Sequence, residues 1–306
     1  MEVPIREVER ILVFGTIQLT AAVISTCLEL QISVVFLSQL GEYKGHLWSA
    51  EFEDLDAEMA QFQRWKDEPF QLETAKAIVW GKLMNSKQLL LRLNRKRDLP
   101  EVAESIVGIS SDIAALGTVE SLDVLRGYEG ITAARYFPAF GQLITSPAFQ
   151  FRERTRRPPK DPTNSLLSFG YTLLFNNVLS LILAEGLNPY LGNLHYSEHK
   201  RPHLALDLME EFRSPVVDSL VMTLINKQTI KPTDFSWPTD TGGVYLTEPA
   251  RRVFLKYFEE RMTANVTHPD VQGQVSYRRA IQLQVQRYKR CLLSSTAPYE
   301  AFLRAV

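Results

Sequence analysis

The chain has 306 residues, is 45% hydrophobic and 23% charged, and carries a formal net charge of −1. Such a chain can bury one large core or two smaller ones, and its balance excludes disorder and a uniformly basic nucleic-acid coat. Two distant cysteines, Cys27 and Cys291, match no metal or redox spacing. They read as core residues of a reduced compartment, which makes the cytoplasm the expected location. "EVPIREVER" after Met1 has neither the basic nor the apolar region of a secretory leader.

In chain order, "RILVFG" and "ISVVFLS" are β-branched runs, and "LTAAVISTCLELQ" between them has helical spacing. "QLGEYKGHLWSA" supplies turn glycines and a short strand ending near Trp48. So small a sheet buries too little apolar area alone and is expected to pack on something else. The text then turns helical. "MAQFQRWKDEPFQLETAKAIVWGKLMNSKQLLLRLNRK" reads as two helices, "PEVAESIVGISSDIAAL" opens on a first-turn proline, and "TVESLDVLRGYEGITAARYFPAFGQLI" is expected to end near Pro138. Further helices are expected near Pro162 to Ala184, from His203, near Glu248 to Met262 and near Val271 to Leu293. The fold class is therefore α+β, with a small β-rich N-terminal domain (1–54) and a large all-α domain (57–306).

Pro162 to Ala184 contains no charge for 23 residues, long enough to cross a bilayer. Asn164, Asn176, Asn177 and several hydroxyls would be costly against lipid, so the segment is expected as a buried helix and no membrane is implied.

The chemistry concentrates in "GNLHYSEHKRPHLALDLMEEFRSPVVD", which holds three of the five histidines beside several acids. Asp207 and Glu210, three apart, share a helix face, and Asp218 falls near the same line. His195 lies just before that helix in a loop introduced by Gly192. Glu129 sits in "LRGYEGITAARYF" between Gly127 and Gly130; glycines cost helical stability, and close approach of another helix is one reason to keep them. A carboxylate buried there must be paired, protonated or metal-bound. Mixed oxygen and nitrogen donors without cysteine suit Mg²⁺ or Mn²⁺ rather than structural zinc. The bland alternative pairs Glu129 with Arg126 or Arg135, leaves His195 a loop histidine and turns the acids to water. "RERTRRPPK" at Arg152 to Lys160 and "NRKR" at Asn94 to Arg97 are local basic patches, which charge alone reads as solvated loops before it reads them as a nucleic-acid contact.

"LRGYEGITAARYFPAF", "RRPPKDPTNSLLSFGYTLL", "GLNPYLGNLH" and "LALDLMEEFRSPVVD" occur in the order seen in the CRISPR-associated adaptation integrases, the universal Cas family numbered one. "VERILVFGTIQLTAAVISTCLELQISVVFLSQLGEYKG" resembles that family's N-terminal β domain, and the match runs from about Val3 to Lys227. The resemblance implies one divalent ion, Mg²⁺ or Mn²⁺, held by Glu129, His195 and Glu210, with Asp207 a supporting or alternative ligand and Asn164 and Tyr171 lining the pocket. It implies metal-dependent joining of a spacer 3′-hydroxyl to a repeat phosphodiester by transesterification, on double-stranded DNA, by a homodimer working with the second CRISPR adaptation protein. Arg156, Arg157, Lys160, Lys200, Arg201 and Arg213 are then the expected phosphate contacts. Family members carry further residues before "VPIREVERILVFG", so the β domain is expected to lack its first strands. The alternatives are a DNA-binding scaffold that does not integrate and a nuclease acting on branched DNA.

Overall fold

The computed structural model describes residues 3–8, 10–38, 43–47, 54–196, 201–238, 242–294 and 297–304. Strand β1 (Arg10–Phe14) pairs in parallel with β2 (Ser33–Leu37), which pairs antiparallel with β3 (Tyr43–Leu47). The crossover from β1 to β2 is the helix α1 (Ala21–Glu29), started by Thr20 accepting from the Val23 amide. Under this sheet lies a small core of Val13, Cys27, Ile32 and Val34, while Leu12 and Phe14 pack against the larger helical core. The predicted end of β3 at Trp48 lies outside the described residues.

Helices α2 (Leu55–Trp65), α3 (Glu68–Asn94), α4 (Pro100–Ala115) and α5 (Leu122–Gln142) follow. Their starts are written locally: Asp54, Asp67 and Ser121 each accept from an amide three residues on, and Pro69 and Pro100 occupy first-turn positions whose N–H has no helical partner. Helix α5 does not end at Pro138 as expected but runs on to Gln142. The missing proline donor is outweighed by packing, because Phe137 and Phe140 meet Phe151 edge-on at 6.1 and 5.8 Å around the last turn.

Helix α6 (Pro162–Ala184) is the hub, buried along most of its length, as expected of an uncharged core helix. Against it packs α7 (His203–Phe212), which also touches α3. Residues Arg213–Asp218 then form a single π-helical stretch before α8 (Ser219–Asn226). Pro215 lies within that stretch and cannot donate to the regular ladder.

The C-terminal third departs from the expected pure helix. Two short antiparallel pairs occur, β4 (Phe235–Ser236) with β5 (Tyr245–Leu246), and β6 (Asn265–Thr267) with β7 (Gln274–Ser276), flanking α9 (Glu248–Thr263). The last helix, α10, therefore starts at Tyr277 rather than Val271, capped by Ser276, and runs to Leu293. "NVT" and "QVS" are too short to show a period of two, so only their pairing reveals them as strands.

Candidate active site

Helix α7 carries Asp207, Glu210 and Glu211, and all three are buried among its neighbours rather than facing water. Each therefore requires its own partners.

Asp207 is fully buried and turned toward the Gly192–His195 loop. Its Oδ2 accepts from the amides of Asn193 at 2.5 Å and Leu194 at 3.0 Å, and its Oδ1 from the His195 amide at 3.0 Å. Oδ1 also meets the His195 ring at Nδ1, 2.7 Å away. The loop lies so close that a Cβ on Gly192 would stand 2.7 Å from the His203 Cβ, so only glycine fits. Arg126 clamps the far side, donating to the Leu194 carbonyl from Nε at 2.9 Å and Nη2 at 2.7 Å. With four donors converging on it, Asp207 orients the imidazole, and among the described residues Nε2 has no hydrogen-bond partner. Burial alone would lower the His195 pKa, but the hydrogen bond and charge of Asp207 outweigh it and raise it.

Glu129 on α5 and Glu210 on α7 converge on Lys82 of α3. The Lys82 ammonium pairs with Glu129 Oε1 and lies 2.7 Å from Glu210 Oε2. Arg213 adds a second cation, its Nη1 shared between Glu210 Oε1 at 2.8 Å and Oε2 at 3.0 Å. Burial would raise both carboxyls, yet these cations hold Glu129 and Glu210 below the usual carboxylate range. Neither Arg126 nor Arg135 pairs with Glu129, contrary to the bland alternative. Arg126 pairs with Asp123, and Arg135 donates to Asp112 at 3.2 Å. Among the described residues no helix packs against Gly127 or Gly130, contrary to the reason offered for them: a Cβ at either would meet nothing within 4 Å. These glycines leave open backbone beside Glu129 instead.

The wall of the site comes from the π-helical stretch. Arg213 stacks on Tyr171 with its guanidinium 4.1 Å from the ring centroid. Asp218 is buried and accepts from Tyr171 Oη at 2.5 Å, Tyr136 Oη at 2.7 Å and Ser214 Oγ at 3.2 Å. Burial, the largest influence on Asp218, pushes its pKa up. Lys82, Glu129, Tyr171, Arg156 and Arg213 line a cavity of about 30 Å³, room for one water or one small ion. A larger cleft of about 630 Å³, lined by Leu89, Ile106 and Val107 among others, contains none of these groups.

Asn164 does not line this cavity. It pins the basic loop, accepting at Oδ1 from Arg154 Nη1 at 2.7 Å and the Thr155 amide at 2.9 Å, and donating from Nδ2 to the Glu153 carbonyl at 2.9 Å. Arg154 is therefore turned inward, and burial lowers its pKa to about 10. Arg152, Arg156, Arg157, Lys160 and Arg201 face solvent, whereas Arg213 is held by Glu210. Lys200 lies outside the described residues. Lys82, the residue sequence reasoning missed, left one weak signal, a cation between the buried apolar positions Val79 and Leu83 of one helix.

Among the described residues no three His, Cys, Asp or Glu side chains are grouped closely enough to share a metal. The donor chemistry still fits a hard divalent ion in kind. Two carboxylates already converge on one cationic atom, Lys82 Nζ, and the electrostatic influence of Glu210 reaches His195.

The family model for CRISPR associated protein Cas1 matches residues 1–260. A CRISPR-associated endonuclease Cas1 of Leptospira interrogans is 39% identical over 251 residues, 80% of this chain and 98% of that protein. A Cas4/Cas1 fusion of Geobacter sulfurreducens, named as a CRISPR-associated exonuclease and endonuclease, is 35% identical over 309 residues. That match takes in 99% of this chain but only 55% of the fusion, so the chain spans about half of that protein. Among solved structures, a Cas1 protein from Thermotoga maritima superposes with a TM-score of 0.82 at 26% identity, covering 96% of this chain and 89% of that one. A chain of a Cas6-RT-Cas1–Cas2 complex gives 0.82 at 26% identity, covering 96% of this chain and 32% of that one.

Proposed function

This chain belongs to the Cas1 family of CRISPR-associated proteins, and we propose that it is a cytoplasmic, metal-dependent DNA endonuclease and integrase of spacer acquisition. In this reading it joins spacer 3′-hydroxyl ends to repeat phosphodiesters by transesterification. The observation that carries the proposal is the meeting of Glu129 and Glu210 at one cationic point, with an imidazole steered by Asp207 within electrostatic reach of Glu210. Glu129, Glu210 and His195 Nε2 are the donors that would hold Mg²⁺ or Mn²⁺. When bound, such an ion supplies Lewis-acid polarisation of a phosphoryl oxygen and a more nucleophilic hydroxyl.

The chain's own residues do the rest. Asp207, by engaging Nδ1, keeps the Nε2 lone pair available, as carboxylates behind ligating histidines do elsewhere. Arg213, immobilised on Tyr171 and Glu210, fixes Glu210 and contributes positive charge to the wall where a phosphate's negative charge grows. Arg156, at the cavity and exposed, with Arg157 and Lys160 on the same pinned loop, positions the DNA backbone. Transesterification exchanges one phosphodiester for another and draws on no external energy source, so placement of the two strands is the main task. Homodimerisation and assembly with Cas2 are part of the proposal, supported by the family and by the Cas1–Cas2 complex to which the fold is similar.

One observation favours the competing reading, a DNA-binding scaffold that does not integrate: Lys82 and Arg213 already neutralise both carboxylates. Strand transfer of a short duplex into a supercoiled, repeat-bearing plasmid separates the two. Product that requires Mn²⁺ or Mg²⁺ and disappears in Glu129→Ala, His195→Ala and Glu210→Ala is expected; DNA binding with no product under any metal would establish the scaffold.

A further inference from the structure

We infer that Lys82 is a built-in counter-ion that occupies the cation position between Glu129 and Glu210 in the metal-free protein, is displaced by the divalent ion, and then engages a DNA phosphate. This deepens the metal-site reading above and rests on it.

Two cations reach Glu210, and they differ in freedom. Arg213 reaches both Glu210 oxygens from Nη1 and is stacked on Tyr171, so its guanidinium is fixed by an ion pair and by a ring. Lys82 is held through its ammonium, at the end of a four-carbon stem with three rotatable donors. Adding a divalent ion without moving either would set four positive charges against the two carboxylates in a pocket where Glu210 is 4% exposed and Lys82 13%. Buried excess charge of one sign is strongly unfavourable, and the mobile member leaves first. Its exit is on the Glu129 side, where that carboxylate is 23% exposed and the α5 backbone at Gly127 and Gly130 is open. A lysine driven out there lacks an anion until a phosphate arrives, so metal and DNA binding become coupled in the same direction.

The test is Mn²⁺ binding followed by electron paramagnetic resonance on wild type, Lys82→Met and Glu129→Gln, with and without a short DNA duplex. Lys82→Met is expected to bind Mn²⁺ about tenfold more tightly than wild type without DNA, and DNA is expected to tighten Mn²⁺ binding in wild type more than in Lys82→Met. Glu129→Gln is expected to lose the site. In parallel, acetylation of Lys82 in the wild-type protein, read by mass spectrometry, is expected to rise when Mn²⁺ is added, and this arm holds even if Lys82→Met folds poorly. Mn²⁺ binding that disappears in Glu129→Gln but is unchanged or weaker in Lys82→Met, or labelling that ignores Mn²⁺, would overturn the role of Lys82 while sparing the metal site. Mn²⁺ binding indifferent to Glu129→Gln, or absent from wild type, would remove both.

Discussion

Replacing Asp207 by asparagine changes one atom, yet the surroundings of that atom allow a sharp expectation. Each carboxylate oxygen has two donors: Oδ2 serves the Asn193 and Leu194 amides, and Oδ1 serves the His195 amide and Nδ1. An asparagine must place its NH₂ at one of these corners. At the Oδ2 corner it would leave two buried amides facing a donor. At the Oδ1 corner it would orphan only the His195 amide and could donate to an imidazole that has moved its proton from Nδ1 to Nε2. The second arrangement is the cheaper. One orphaned buried amide together with the loss of charge-assisted bonding costs about 2 kcal/mol. For a large domain that lowers the melting temperature by roughly 4–8 °C. The same flip places a proton on the nitrogen that would face a metal, so metal-dependent activity should fall well beyond what the stability loss explains. Calorimetry gives the first quantity, and nitrogen-15 NMR of the His195 ring gives the tautomer directly. A variant that melts with wild type and keeps its Nε2 unprotonated would refute the claim that Asp207 sets the orientation and tautomer of His195.

Burial pushes the Glu211 carboxyl up to about 7 despite the bonds it accepts from Tyr299, Phe302 and Gln284. Because the folded value lies above the unfolded one, its contribution is fully present below the ordinary carboxylate pKa and is lost as pH rises through 7. The stability of wild type relative to Glu211→Gln should therefore fall by about 3 kcal/mol between pH 4 and pH 8 in denaturant titrations, and a flat difference would refute it. Alanine at Gly130 meets open space and should stabilise by up to about 1 kcal/mol through helix propensity. At Gly170, where a Cβ would stand 2.5 Å from Val217 Cγ1 and 3.1 Å from Phe254 Cζ, it should cost about 1–3 kcal/mol instead; equal melting shifts would contradict the packing. Reversing charge at Arg156 and Arg157 should weaken DNA binding and flatten its dependence on salt, whereas an unchanged slope would put the DNA path on another face.

Much of this architecture is written in short windows of sequence. The uncharged run Pro162 to Ala184 and the caps at Asp54, Asp67, Ser121 and Asp161 are local events, the caps each a side chain that meets backbone a turn away. So is the shared helix of Asp207 and Glu210, since helical periodicity needs no distant partner. What faces each of those acids is not local. Lys82 lies 47 residues from Glu129, and Tyr299 lies 88 from Glu211, so no periodicity connects them. The continuation of α5 through Pro138 and the pairing of β6 with β7 were hidden for the same reason, because aromatic packing and strand pairing outvoted weak local signals. The sequence by itself determined that acids and an imidazole would be gathered near one helix. Only the tertiary structure decided which acid orients the histidine, which is buried in the core and which share an ammonium, because burial forces every charge to find a partner and folding chooses the partners.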